Sequence, residues 1–434
     1  MNLREFRKAG HFPSLLCAFL YFDISFMIWV LVGALANPVM AALIPQREGE
    51  SAADYVQRVA SDKYLMVALP ILGGAALRLV LGVMTDRWGA KKTGLIGMAL
   101  TAVPLLLGWL WVSSYGQMLL VGTLLGVAGA SFAAALPLAS RWYPPQYQGL
   151  AMGIAGAGNS GTALATMFAP MIAATTGDWQ FVFALALLPL AVTFLAFLFW
   201  AKDSPNQPPA KPLASYVTIF RHADTWWFCL LYSVTFGGFV GLASFLNGFF
   251  KDQYFPTDPG ATARIGLFTT LCVLSGSFLR PVGGYLADRF GGIRMLLVLY
   301  SGLALTMLGM ATLPSVGVAL PLLFVGMGCL GMGNGSVFQL VPQRFQKEIG
   351  VITGVVGAAG GLGGFFLPTL LGQVKGWTGS FGLGFALFAL TGLGCVVILV
   401  ALRVRWESTF LSALNEPRAT EPAPVEPMVA PATN

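Results

Sequence analysis

The sequence predicts an all-α membrane protein: twelve spanning helices arranged as two related six-helix halves. Three observations carry that prediction. Of 434 residues, 56% are hydrophobic and only 10% are charged, far below the roughly 25% charged residues of soluble domains. Apolar runs long enough to cross a bilayer, about 17 to 25 residues each, recur along almost the whole chain. Finally, residues 74–89, GAALRLVLGVMTDRWG, align without gaps on residues 276–291, GSFLRPVGGYLADRFG. That alignment pairs Arg78 with Arg280, Gly82 with Gly284, Asp86 with Asp288 and Arg87 with Arg289.

Apolar runs set against charged and Pro/Gly breaks place helices near 13–40, 64–85, 93–113, 117–141, 149–174 and 178–201. Six more follow, near 226–250, 264–286, 293–313, 318–343, 349–374 and 381–404. A polar, Pro-rich stretch, residues 202–225, separates the first half (1–201) from the second (226–404). The tail, 405–434, ends in NEPRATEPAPVEPMVAPATN and is expected to be disordered from about residue 414. Lys and Arg gather in the loops on the side that carries both chain ends. The positive-inside rule therefore puts both termini in the cytoplasm, with the chain a multi-pass protein of the plasma membrane. The first apolar region, Pro13 to Ala36, exceeds the about 7 to 15 residues of a secretory h-region, so a retained first helix is expected.

The formal charge of +7 raises a nucleic-acid partner, but the basic residues are scattered through short loops and form no dense stripe, so none is expected. Cys17, Cys229, Cys272, Cys329 and Cys395 all fall in apolar segments without metal-ligand spacing and read as packing residues. A literal G-x-G-x-x-G occurs at Gly156, Gly158 and Gly161, yet it lies inside a spanning helix with no strand before it, so it is no dinucleotide site. With no nucleophile, metal cluster or cofactor loop, an enzyme is not expected, and no cofactor is called for.

The buried charges are the informative residues. Arg78 precedes Asp86 by about two helical turns, about 12 Å at 1.5 Å per residue, which puts it near the middle of a hydrocarbon core about 30 Å thick. Arg280 takes the equivalent place in the second half. An arginine there costs about 2.5–3.5 kcal/mol on insertion scales, so such residues usually face a cavity and mark a pathway. The single acidic residue central in any predicted helix is Asp23, in YFDISFMIWVLVGAL. Two positive charges against at most one negative leave an excess that an anionic substrate would neutralise. Guanidinium, planar and always charged, suits an oxyanion.

After each matched helix comes a compact turn, GVMTDRWGAKK at 82–92 and GYLADRFGGIR at 284–294. Both resemble the loop motif of the major facilitator superfamily. Gly82 and Gly284 are expected to permit close helix approach. Asp86 and Asp288 are expected to accept hydrogen bonds from helix N-termini or from arginines across the interface between halves, making a gate latch with Arg87, Gly89, Arg289 and Gly291.

The glycine-rich helices repeat as well: GLAMGIAGAGNSG at 149–161 answers GVITGVVGAAGGLGG at 350–364. Gly153, Gly156, Gly158, Gly161, Gly357, Gly360, Gly361, Gly363 and Gly364 are expected to let helices 5 and 11 pack closely and rock. Together with Arg78, Arg280, GVAGASF (126–132) and LLYSVTFGGFVGLAS (230–244), these helices resemble the nitrate/nitrite porter family of the major facilitator superfamily. The resemblance implies that Arg78 and Arg280 clamp a planar anion. It further implies that Asn159 and Tyr232 hydrogen-bond the anion and that Phe132 and Phe236 sandwich its flat face. It implies a secondary active transporter that imports nitrate, with nitrite as a second substrate, by alternating access.

Asp23 bears on the coupling ion. Its helix resembles the proton-coupled uptake branch of that family, and a carboxylate in low dielectric that an arginine approaches in one conformation would change its protonation; proton symport follows. Alternatively, Asp23 makes a permanent helix contact or lies in a vestibule. Nitrate/nitrite antiport, an organic-phosphate exchanger and an anion receptor on a transporter scaffold are the alternatives. The chain is expected to act as a monomer, with the anion, protons and the lipid bilayer as its partners.

Overall fold

Lipid offers a backbone no hydrogen bonds, so a chain this apolar must close them within helices. The computed structural model, which describes residues 3–205, 218–345 and 349–409, does so: among the described residues every regular element is helical. Eleven helices are long and apolar enough to cross a membrane. The remaining span, fifth in chain order, is built of three pieces: helix Pro145–Gly156, a 3-10 turn Ala157–Ser160 and helix Gly161–Thr176.

Numbered in chain order, span 1 is Phe12–Trp29, continued with two bends through Leu31–Ala34 and Ala36–Leu43. Spans 2 and 3 are Ala52–Trp88 and Ala90–Leu110. Span 4 is Tyr115–Gly129 and Phe132–Ser140, and span 6 is Gln180–Trp200. The second half holds spans 7 to 12: Ala223–Tyr254, Thr262–Phe290, Gly292–Ala311, Val316–Arg344, Ile349–Thr378 and Gly382–Ser408. Both chain ends therefore lie on one side, here the terminal side; the opposite side is the distal one.

Span 2 starts twelve residues earlier than the apolar run suggests. Ser51 caps it by accepting the Asp54 amide at 3.2 Å, and the polar first turns carry the helix beyond the hydrophobic stretch. At the other end, Gly89 and Gly291 close spans 2 and 8 with φ near +90°, a conformation that favours glycine. The repeated motif thus ends each of these helices with the same turn. The first residues of the linker dock on the first half: Lys202 accepts hydrogen bonds from Ser14 and Trp142 through its carbonyl, and Asp203 accepts the Lys91 amide. The rest of the linker, 206–217, and the tail from 410, including the disorder expected from about 414, lie outside the described residues.

The two halves meet tightly on the distal side. Lys63 of span 2 and Asp252 of span 7 form an ion pair at 2.7 Å, and the Tyr64 hydroxyl donates to the same carboxylate at 3.0 Å. Their charged side chains are only 5% and 4% exposed. Asn247 of span 7 donates to the Thr166 carbonyl of span 5 at 3.1 Å, and Asn37 of span 1 donates to the Asn247 carbonyl at 3.3 Å. Thr166 and Thr270 join spans 5 and 8 through their hydroxyls at 3.1 Å. Among the described residues, all side-chain hydrogen bonds between the halves lie at the level of Arg78 or distal to it.

Removing one partner of a buried ion pair leaves an uncompensated charge and costs about 3–5 kcal/mol, here charged to the distal-closed state. Asp252→Asn should therefore shift the protein toward distal opening. Spin labels on Ala53→Cys and Trp377→Cys are expected to report a longer distance population in that variant; an unchanged distribution would show that the pair does not hold the closure.

Candidate functional site

Arg78 lies at the centre of the molecule, 1% exposed. Its Nε donates to the Gly129 carbonyl of span 4 at 3.0 Å, and its Nη1 to the Gly357 carbonyl of span 11 at 2.6 Å. One arginine thus touches both halves. Its Nη2 has no hydrogen-bond partner. Three rings surround the guanidinium: Phe236 at 4.8 Å, Trp29 at 5.2 Å and Phe132 at 5.5 Å from ring centroid to Cζ, within cation–π range. Glycine at 74 and 129 makes room for the Trp29 ring, whose indole donates to the Pro70 carbonyl at 2.7 Å.

Arg280 is half-buried and close enough for its charge to act on Arg78. Its Nη1 is buried without a partner. Neither arginine forms an ion pair with a carboxylate among the described residues. Tyr232, fully buried, stacks on Phe236 at 5.1 Å and 8°, and its hydroxyl, near both arginine charges, lacks a hydrogen-bond partner by strict geometry. Asn159, also fully buried, sits in the 3-10 turn of span 5 with both amide atoms unpartnered. The site therefore offers free N–H and O–H donors with net positive charge in a setting of aromatic rings. That is the donor set of an oxyanion site.

Asp23 is placed differently from the expectation of an arginine neighbour. Its carboxylate accepts the Ser160 hydroxyl at 2.8 Å, tying span 1 to the broken middle of span 5. The physical cause is close backbone approach: a Cβ on Gly158 would sit 2.9 Å from the Asp23 nitrogen, and one on Gly161 would collide with the Asp23 carbonyl. In this conformation the permanent-contact alternative describes its surroundings.

Three further expectations are corrected. Gly153 and Gly156 face open space, so they do not pack helices in this conformation; Gly158, Gly161, Gly360, Gly361, Gly363 and Gly364 do, and Gly357 makes an ordinary contact with Phe132 at 3.7 Å. Close approach at Gly82 is absent, since a Cβ there would meet its nearest neighbour at 4.0 Å; at Gly284 it is present, made by Gly335 of span 10, whose Cβ would lie 2.6 Å from the Gly284 nitrogen, and Gly283 is tighter still, against Met332. The arginine that Asp86 meets lies in its own half. Arg141, at the end of span 4, donates to Asp86 at 2.8 Å, fastening spans 2 and 4 together. Asp288, Arg87 and Arg289 are exposed, and none of them forms an ion pair among the described residues.

Sequence reasoning missed Trp29, Arg141, Phe338 and the Lys63–Asp252 pair. Phe338 of span 10 touches Phe132 at 6.3 Å and Tyr232 at 4.8 Å, closing the ring of aromatics. Nothing distinguishes one phenylalanine among 32 by composition, but Lys63 was an ionisable residue at the edge of an apolar run and could have been flagged for needing a partner.

Twelve spans, an internal repeat and a central site reached by both halves define a membrane transporter of the alternating-access kind. The chain matches the Major Facilitator Superfamily over residues 14–368 and belongs to it. It is 32% identical to the nitrite extrusion protein of Bacillus subtilis (strain 168), over 86% of this chain and 90% of that protein. Against the probable nitrate/nitrite antiporter NarK1 of Thermus thermophilus it is 31% identical, covering 83% and 84%. With the probable nitrate/nitrite transporter NarK2 of Mycobacterium tuberculosis (strain CDC 1551 / Oshkosh) it shares 34%, covering 80% and 85%. Within the superfamily it therefore belongs with the nitrate/nitrite porters. The fold is also that of the xylose transporter XylE from E. coli in a partially occluded inward open conformation, with TM-score 0.69, 14% identity and coverage of 90% and 99%.

The filled contact at Gly161 and the open space at Gly153 differ in what a methyl group would meet. Forcing a methyl into a filled contact costs about 1–3 kcal/mol, sometimes more, so Gly161→Ala should lower the thermal unfolding midpoint markedly or prevent folding. Gly153→Ala should leave it near the parent value. Equal midpoints for the two, read by size-exclusion chromatography after heating, would contradict the described crossing of spans 1 and 5.

Proposed function

We propose that this protein imports nitrate, with nitrite as a second cargo, across the plasma membrane by alternating access, with both termini in the cytoplasm. The observation that carries the reading is the pair Arg78 and Arg280, two central guanidinium groups with free N–H donors and, among the described residues, no carboxylate paired to either. An anion supplies the missing charge. The relatives' printed names, nitrate and nitrite transporters, support the choice of anion.

In this reading Arg78 and Arg280 clamp the anion's edge, and Tyr232 and Asn159 add donors. Phe132 and Phe236 present flat faces that favour a planar oxyanion over a tetrahedral phosphate. With the terminal side cytoplasmic, the distal hydrogen bonds close the outward route and the structure faces inward. Gly153, Gly156 and Gly354, which meet open space on spans 5 and 11, are the surface that would come together when the inner side closes.

Proton symport through Asp23 is the proposed coupling. Its half-buried carboxylate, held by the Ser160 hydroxyl and beside no arginine, would take a proton when the span 1–span 5 contact rearranges. A second reading, nitrate/nitrite exchange without protons, is favoured by the antiporter name of the Thermus relative and by the Ser160 hydroxyl that already occupies the Asp23 carboxylate.

Reconstituted vesicles separate these. Arg78→Lys and Arg280→Lys should each depress nitrate counterflow by about two orders of magnitude, because an ammonium lacks the two-pronged donor geometry; wild-type rates in Arg280→Lys would overturn the clamp. Asp23→Asn should keep nitrate exchange but abolish uphill uptake driven by a pH gradient. Undiminished accumulation in that variant, or no proton flux with nitrate in the wild type, would favour exchange.

A further inference from the structure

The second half carries a polar group that neither the repeat nor the family resemblance singles out. Asn334, in the middle of span 10, is fully buried, and neither its amide nitrogen nor its amide oxygen has a hydrogen-bond partner within the protein. An unpaired amide in such a place is destabilising, so packing alone would be better served by an apolar residue.

Its neighbours fix its direction. A Cβ on Gly333 would meet the Thr235 methyl of span 7 at 2.6 Å, and one on Gly335 would meet the Gly284 nitrogen of span 8 at 2.6 Å. Successive helical residues turn by about 100°, so Asn334 points between spans 7 and 8, the helices that carry Tyr232, Phe236 and Arg280. One turn further along the same face, Phe338 lies against Phe132 and Tyr232. Asn334 is thus aimed, with Phe338, toward the central site from the second half.

The repeat explains why the amide comes from span 10. Asn159 of span 5 corresponds to Gly360 of span 11. A Cβ at Gly360 would already lie 2.7 Å from Tyr232 and 2.9 Å from Phe236, so that position has no room for an amide. Asn334 replaces it from the neighbouring helix.

We propose that Asn334 is a further binding residue: its Nδ2 donates to an oxygen of the oxyanion held by Arg78 and Arg280, giving the second half the amide donor that Asn159 gives the first. An anion accepts only from the N–H side, so its charge fixes which way the amide turns. This inference rests on the reading of the chain as an oxyanion transporter.

Thermal unfolding of the purified full chain with sodium nitrate against sodium chloride, and nitrate counterflow in vesicles, test it. In Asn334→Leu the midpoint without nitrate should equal or exceed the wild-type value, since an unpaired polar group is gone. Its half-saturating nitrate concentration should rise about tenfold or more. A lower midpoint without nitrate together with wild-type nitrate affinity would mark Asn334 as a structural residue and overturn the proposal. If Asn334→Leu does not fold, the isosteric Asn334→Asp reads the same point. Facing an anion with a carboxylate, it should lose the nitrate-induced shift altogether, and wild-type affinity there would overturn the proposal. A wild-type protein that nitrate neither stabilises nor exchanges would instead refute the oxyanion reading, and this residue's role with it.

Discussion

The arrangement of the centre depends on one arginine whose charge is held by carbonyl dipoles and aromatic ring faces. Arg78 gives one N–H to the Gly129 carbonyl and another to the Gly357 carbonyl. Neutral acceptors satisfy donors but leave the formal charge in place, and the desolvation of a buried cation is offset only when such bonds and ring faces are arranged around it. Trp29, Phe132 and Phe236 supply the faces. The glycines at 74 and 129 exist in this scheme to let the Trp29 ring and the carbonyls reach that one group. Because Gly357 belongs to the other half, the same interaction joins the halves at the site itself.

From that joint outward the interface is asymmetric. On the distal side, backbone-to-backbone approaches such as Gly33 on Ser244, together with Gly361 on Ala75 and Gly364 on Ile71, bring the halves into contact, and Lys63, Tyr64, Asn247 and Asp252 fasten them. On the terminal side, bonds among the described residues brace each half internally: Arg141 to Asp86 in the first, and Arg344, Arg405 and Trp406 to Asp224 in the second. Each half is therefore a firm body at its terminal end, while the side-chain hydrogen bonds between the halves, among the described residues, lie at Arg78 and distal to it. Two firm bodies joined at one end are what rocking about a central site requires.

Sequence reasoning reached the twelve spans, the repeat and the arginine pair because each follows from a rule that acts on residue types: apolar length, self-similarity, and the cost of charge in lipid. It singled out Gly89 and Gly291 as members of the repeated loop motif, and the structure shows them ending spans 2 and 8. What it missed depended on which helix face meets which neighbour. Gly82 and Gly283 are both glycines of one repeated helix type, yet only the second touches backbone, and nothing in their spacing says so. Asp86 could have met an arginine of either half; the choice of Arg141 is made by the proximity of the ends of spans 2 and 4. The break in span 5 was equally hidden, since GAGNSG reads as a flexible but continuous helix until Asp23 is found packed against it.

The two arginines are equivalent in sequence and not in surroundings, and that difference orders the steps of the proposed transport. Arg78 already spends two N–H groups on carbonyls, one in each half, and keeps its whole Nη2 group free. Arg280 repels Arg78 and is half-exposed, with a buried Nη1 that has no partner. A monovalent anion arriving between them cancels the repulsion, which is strong in a low-dielectric setting, and gives Arg280 the acceptor it lacks. The gain is therefore largest on the Arg280 side, and it draws the second half toward an arginine that the first half already holds. Binding and closure are then one event: the anion strengthens at the centre the link between halves that Arg78 makes by itself through the Gly357 carbonyl.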